Sequence, residues 1–153
     1  MNSIGIVGAG IAGVHLALLL QREGMDVTLY AALTPEAQRQ GRLPNNVARF
    51  GPTQRREAEL GVAFWPADDY AMHCAHVRVR DPKHGTIAFR GDLAEPATFV
   101  DFRLYLPRLV EAFAERGGNV VAGEVRVALL EEIAARHDAV VVSSGRSELA
   151  ALF

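Results

Sequence analysis

The chain has a single cysteine, Cys74, among 153 residues. No internal disulfide framework can hold it, and such usage fits a reducing cytoplasm. Net charge is also scarce: 16 Lys and Arg against 18 Asp and Glu leave −2. That gives no electrostatic case for nucleic acid or an anionic membrane as a partner. Internal repeats and low-complexity stretches are missing. The longest apolar stretch, Ile4 to Leu20, lacks the marks of a membrane span or secretory leader. Glycines and His15 interrupt it, no cation precedes it, and nothing like a cleavage site follows, so a buried strand and helix are expected there. What remains is ordinary for a globular protein with a real core, half hydrophobic and 22% charged.

The organising stretch is Ile4-Gly5-Ile6-Val7-Gly8-Ala9-Gly10-Ile11-Ala12-Gly13. A short apolar run leads into G-x-G-x-x-G and a helical apolar pattern follows, which is the context that gives the glycines meaning. Gly8 allows a tight turn, Gly10 lets a pyrophosphate approach the backbone, and Gly13 lets the helix lie close to the strand. Free N–H groups at the helix start, near Ile11, Ala12 and Gly13, favour an anion. The triplet alone is weak, since a glycine-rich helix start can be simple close packing. A second strand at Asp26 to Tyr30 completes a βαβ unit and supports dinucleotide binding. The acidic residue that usually grips a ribose hydroxyl about 20 residues on is missing. Val27 to Leu33 carries no carboxylate, and Glu36 comes late.

Further along, Thr34-Pro35-Glu36 reads as a helix start with a hydroxyl cap, and Gly41 ends that helix. Arg42 to Asn46 is a polar loop expected near the carboxyl ends of the strands, where ligands sit in open α/β sheets. Thr53 to Leu60 reads as a helix. Met72 to Arg80 and Thr86 to Arg90 read as two strands around a turn-rich connection. Asp101 to Arg116 is helical in its later part, with Pro107 expected near the first turn of the regular portion. Asn119 to Ala122 is a third parallel strand and Ala128 to Ala135 a short helix. Ala139 to Ser143 is a fourth strand, expected to be buried on both faces. The fold class is therefore α/β: a Rossmann-like parallel sheet for FAD or NAD(P), with a small antiparallel β-hairpin insertion.

Several residues invite sharper readings. His73-Cys74-x-His76 suggests a metal, but on a strand the two histidines point to opposite faces, so no metal site is assigned. Cys74 has no charged neighbour to activate it. Arg103 after Asp101 reads most simply as helix-start capping with a solvated arginine, and Asn45 as a turn residue. His15 reads as structural rather than as a base.

With these residues placed, the chain resembles the N-terminal part of the oxygenase component of the two-component FAD-dependent styrene and indole monooxygenases. The resemblance is carried by Gly8 to Gly13 with His15, Arg42-Leu43, Asn45, and Trp65-Pro66. Its most specific parts are Gly91-Asp92-Leu93 and Val100 to Tyr105, and Glu115 to Gly118 and Ser144-Gly145 also fit. It implies a glutathione-reductase-like FAD domain over 1–153, with 65–100 opening a substrate-side layer. It further implies reduced FAD delivered by an NADH-dependent flavin reductase, and epoxidation of an aryl alkene through a flavin C4a-hydroperoxide. Cofactor contacts would fall to Gly8, Gly10, Ile11, Ala12, Gly13, Arg42, Arg103, Ser144 and Gly145, with Asn45 near the reacting ring. A homodimer is compatible with it. The family's chains run well beyond this point, so a piece with weak FAD binding and little activity of its own is expected. The competing readings are an NAD(P)-dependent oxidoreductase domain and a non-catalytic nucleotide-binding module.

Overall fold

The computed structural model describes residues 3–43, 45–67, 71–145 and 149. They divide into two compact units, Met1–Pro44 with Asp101–Phe153, and Asn45–Val100.

The first unit is built on strands β1 (Ser3–Val7) and β2 (Asp26–Ala31), joined by helix α1 (Ile11–Arg22). Gly24, at φ +80°, ends the crossover in the left-handed region that glycine adopts without cost. Helix α2 (Pro35–Gln40) starts as expected, with Thr34 Oγ1 accepting the Ala37 N–H at 3.2 Å. The chain leaves this unit after residue 44 and returns at Asp101. Between them lie the second unit's elements, β3 (Asn46–Arg49), α3 (Gly51–Glu59), β4 (Met72–Asp81) and β5 (Gly85–Asp101). The first unit then continues through α4 (Phe102–Glu115), β6 (Asn119–Ala122), α5 (Val127–Arg136) and β7 (Ala139–Val142).

Its sheet has the order β6-β2-β1-β7 with every pairing parallel. Val7 lies opposite both Tyr30 and Val142, so the carboxyl ends of the strands finish level. Ile6 and Leu29 are fully buried, in strands that read as continuous apolar runs because both faces are covered. Helix α4 packs on α1 and α2 through a buried stripe of Tyr105, Leu109, Val110 and Phe113. Burying each such side chain stabilises the fold by about 1.5–3 kcal/mol. The Tyr105 hydroxyl meets His15 Nε2 at 3.0 Å, joining α4 to α1.

Two expectations for this unit need correction. Helix α4 begins at Phe102, not after Tyr105, and Pro107 lies in its second turn. The Asp101 carboxylate accepts the Arg103 N–H at 2.7 Å, and this cap fixes the helix start ahead of the proline. Strand β7 is not buried on both faces: Val141 is 37% exposed. An unbroken apolar run shows that a strand has no polar face, not that something covers each side.

In the second unit the sheet order is β3-β5-β4, with β4 and β5 antiparallel and Val77 opposite Phe89. The hairpin is present, but β5 extends well past Arg90, and β3 starts at Asn46, the last residue expected in the polar loop. The unit is centred on Arg49, which is buried. Its guanidinium donates to both Glu57 oxygens, with Nε at 3.0 and 2.9 Å, and through Nη1 to the Trp65 carbonyl at 2.7 Å and Thr98 Oγ1 at 2.8 Å. Among the described residues no helix is long and apolar enough to cross a membrane.

Candidate functional site: the glycine turn and its cavity

The three motif glycines do different jobs. Gly8 has φ +113°, and a Cβ there would stand 2.7 Å from the Ser143 carbonyl carbon and 2.8 Å from the Ser144 nitrogen. It is therefore fixed both by backbone conformation and by the chain beside it. Gly13 is buried, and a Cβ on it would collide with the Gly8 carbonyl oxygen and Ser143 Oγ. Ser143 Oγ donates to that same carbonyl at 2.9 Å, tying the end of β7 to the turn. Gly10 differs from both. Its φ of −73° suits any residue, and a Cβ on it would meet no atom within 4 Å. Neither strain nor packing demands glycine there; a side chain would only fill open space. Gly10 is also the N-cap of α1, with no side chain capping the helix and no acidic residue in its first turn. Among the described residues, no side chain accepts from the first-turn amides of Ile11, Ala12 and Gly13.

That open space is a cavity of about 420 Å³ at the carboxyl ends of the strands. Gly8 and Gly10 form one wall, Tyr30 near the end of β2 and Leu33 past it another, and Gly123 to Val125 after β6 a third. Ser144 and Gly145, past β7, complete it. A second cavity of about 300 Å³ is lined by Arg42, Phe102 and Arg103. Leu33, Gln38 and Leu106 line both.

Of the residues singled out in the sequence, Gly8, Gly10, Ser144 and Gly145 meet at the first cavity, and Arg42 and Arg103 at the second. Ile11 and Ala12 stand at the helix start beside them. Arg42 is exposed and has no ion-pair partner among the described residues. Arg103 is partly committed: Nε lies 3.1 Å and Nη2 2.7 Å from the Asp101 carboxylate. The hydrogen bond from Arg103 holds the Asp101 carboxyl below its ordinary range, and Asp101 raises Arg103 in turn. Asn45 belongs to the other unit, where its Oδ1 accepts the Asn46 N–H at 2.8 Å. His73 and His76 are both exposed on β4.

Ala32 and Leu33, rather than a carboxylate, follow β2 into the cavity wall, and Glu36 is not part of it. Sequence reasoning missed Tyr30, Gln38, Leu106 and Glu124 as lining residues. Tyr30 and Glu124 were findable, since each stands at the carboxyl end of a strand already assigned. Nothing in the local pattern marked Gln38 or Leu106.

No protein-family model matches the chain. It is 38% identical over 152 residues to the styrene monooxygenase StyA of Pseudomonas fluorescens, across 98% of this chain and 36% of that protein. A Pseudomonas sp. StyA is likewise 38% identical over 150 residues, 36% of its length. The chain thus spans about a third of the length of these curated relatives. Among solved structures, the flavin-dependent monooxygenase PieE, in complex with FAD and substrate, superposes with TM-score 0.56 at 20% identity, over 80% of this chain and 23% of PieE. The tetrameric form of 2-methyl-3-hydroxypyridine-5-carboxylic acid oxygenase gives 0.56 at 16% identity, over 80% and 31%. The peptidyl tryptophan dihydroxylase QhpG gives 0.52 at 22%, over 80% and 25%. These structural likenesses show a shared fold. The resemblance carried by the motifs therefore holds over almost the entire chain, which is similar to about a third of a styrene monooxygenase.

Proposed function

We propose that this chain forms the FAD-binding part of a two-component flavin monooxygenase that epoxidises styrene- or indole-like aryl alkenes. The observation that carries this is Gly10, a glycine required by neither conformation nor packing, at the uncapped start of α1 beside an open cavity. Bare backbone at that point suits a diphosphate, and the helix N-terminus favours its charge. The StyA relatives and the FAD-bound PieE support flavin over nicotinamide as the dinucleotide.

In this reading the amides of Ile11, Ala12 and Gly13 and the Gly8–Gly10 backbone hold the diphosphate. Ser144 and Gly145 pack beside the cofactor. Arg42 supplies counter-charge, and Arg103 adds the donors left over from Asp101. Bound there, reduced FAD would supply the dioxygen chemistry, while the protein positions it and excludes water. Asn45 is assigned to the neighbourhood of the reacting ring, and residues 65–100 to the start of a substrate-side layer. The partner is an NADH-dependent flavin reductase, in the reducing cytoplasm that a lone cysteine fits.

The test is a calorimetric titration of the purified chain with FAD and with NADH, repeated on Gly10→Val. FAD binding that the substitution abolishes, with NADH weaker, is the expected result. Preference for NADH would favour a nicotinamide-dependent oxidoreductase, and binding of neither would remove the nucleotide reading.

A further inference from the structure

Gln38, on α2, lines both cavities, and its side-chain oxygen is buried without a hydrogen-bond partner among the described residues. A buried amide oxygen left unpaired is costly and calls for an explanation. Gln21 has a similarly unpaired oxygen, yet its Nε2 donates to the Phe113 and Arg116 carbonyls, both at 3.2 Å, so its orientation is fixed by packing helices together. Among the described residues no hydrogen bond holds the Gln38 amide at either end, and its terminal torsion is free to turn the oxygen or the NH₂ toward the cavity.

The place matters as much as the vacancy. Next to a diphosphate on the glycine turn comes the adenosine ribose, and the usual ribose partner is a carboxylate at the end of β2. Here Ala32 and Leu33 occupy that position. The other polar side chains in the wall are Tyr30, Ser143, Ser144 and Glu124. The Tyr30 hydroxyl meets His137 Nε2 at 2.9 Å, and Ser143 Oγ donates to the Gly8 carbonyl. Ser144 lies past β7, and Glu124 is mostly exposed with its carboxylate paired with Arg126 at 3.2 Å. We infer that Gln38 takes over the absent carboxylate's task and hydrogen-bonds the ribose hydroxyls of the adenosine half of the dinucleotide. This rests on the dinucleotide reading above. A neutral amide makes a weaker bond than a carboxylate, so the adenosine end is held loosely, which suits a cofactor that is taken up and released.

Calorimetric titration of the full chain with ADP and with 2′,3′-dideoxy-ADP tests it, on the wild type, Gln38→Met and Gln38→Glu. Gln38→Met keeps the volume and removes the hydrogen bond. It should weaken ADP about three- to tenfold and leave the dideoxy compound unchanged. Gln38→Glu keeps an acceptor and should hold ADP at least as tightly as the wild type. Equal losses for both ligands in Gln38→Met, no loss for either, or a Glu variant as weak as the Met variant would overturn the assignment while leaving the platform standing. Failure of the wild type to bind ADP would overturn the platform, and this inference with it.

Discussion

Two glycines three residues apart should respond to the same substitution in opposite ways. Gly13→Ala puts a methyl onto the Gly8 carbonyl and Ser143 Oγ. One of these is backbone and cannot rotate aside. Alanine's better helix propensity returns about 1 kcal/mol, while overpacking costs typically 1–3 kcal/mol and occasionally more. A clash with a backbone oxygen belongs at the top of that range, so the net expectation is a loss of about 2 kcal/mol or more, read as a lower urea midpoint at unchanged m-value. In Gly10→Ala the new methyl meets nothing within 4 Å, so the stability change should stay below about 1 kcal/mol, the scale of an N-cap substitution. Binding should show the reverse: that methyl stands where the diphosphate approaches, and FAD or ADP affinity should fall at least about tenfold, a change of 1.4 kcal/mol. Urea unfolding and calorimetric titration of both variants form the assay. A Gly13→Ala protein as stable as wild type, or a Gly10→Ala protein that binds normally, would refute the division of labour drawn for the turn.

Three further outcomes are expected. Truncating one partner of the buried Arg49–Glu57 pair, as in Arg49→Met, leaves a buried charge uncompensated and should cost about 3–5 kcal/mol; urea denaturation followed at Trp65 would measure it. Replacing both partners with apolar residues of similar volume should cost less than either single change. Asp101 has a folded-state pKa below its ordinary 3.8, chiefly through the Arg103 hydrogen bond. Its contribution is therefore fully present above the unfolded value and lost as pH falls through the lower folded one. The difference in thermal midpoint between wild type and Asp101→Asn should accordingly close on acidification below about pH 4, and a pH-independent difference would count against the ion pair.

Much of the first unit was legible because its signals are local. Alternation of apolar runs, capping residues and glycine stops placed β1, α1, β2, α2, β6 and α5 close to their observed limits. The cavity's glycines could be named in advance because the motif's turn is fixed once β1 is, whereas Ser144 and Gly145 come from the family resemblance. Where sequence reading fell short, the deciding interaction was distant or contradicted propensity. Strand β5 runs through Gly91, Glu95 and Pro96, residues depleted in strands, because its neighbours β3 and β4 are supplied from elsewhere in the chain. Arg49 looks like a surface cation until Glu57, Thr98 and the Trp65 carbonyl are brought around it. Gln38 carries no sequence mark at all, since its significance is a missing partner.

The first unit is made of two stretches of chain separated by all of Asn45–Val100, and this sets an order of events at the ribosome. Synthesis proceeds from the N-terminus, so β1, α1 and β2 are available long before β6 and β7 exist to flank them. Ser143, which braces the Gly8 carbonyl, emerges 135 positions after it. The nascent glycine turn consequently waits, unsupported, while the 135 positions between Gly8 and Ser143 are made, and competence to take up a nucleotide should be acquired only once β7 has emerged rather than when β1, α1 and β2 are complete.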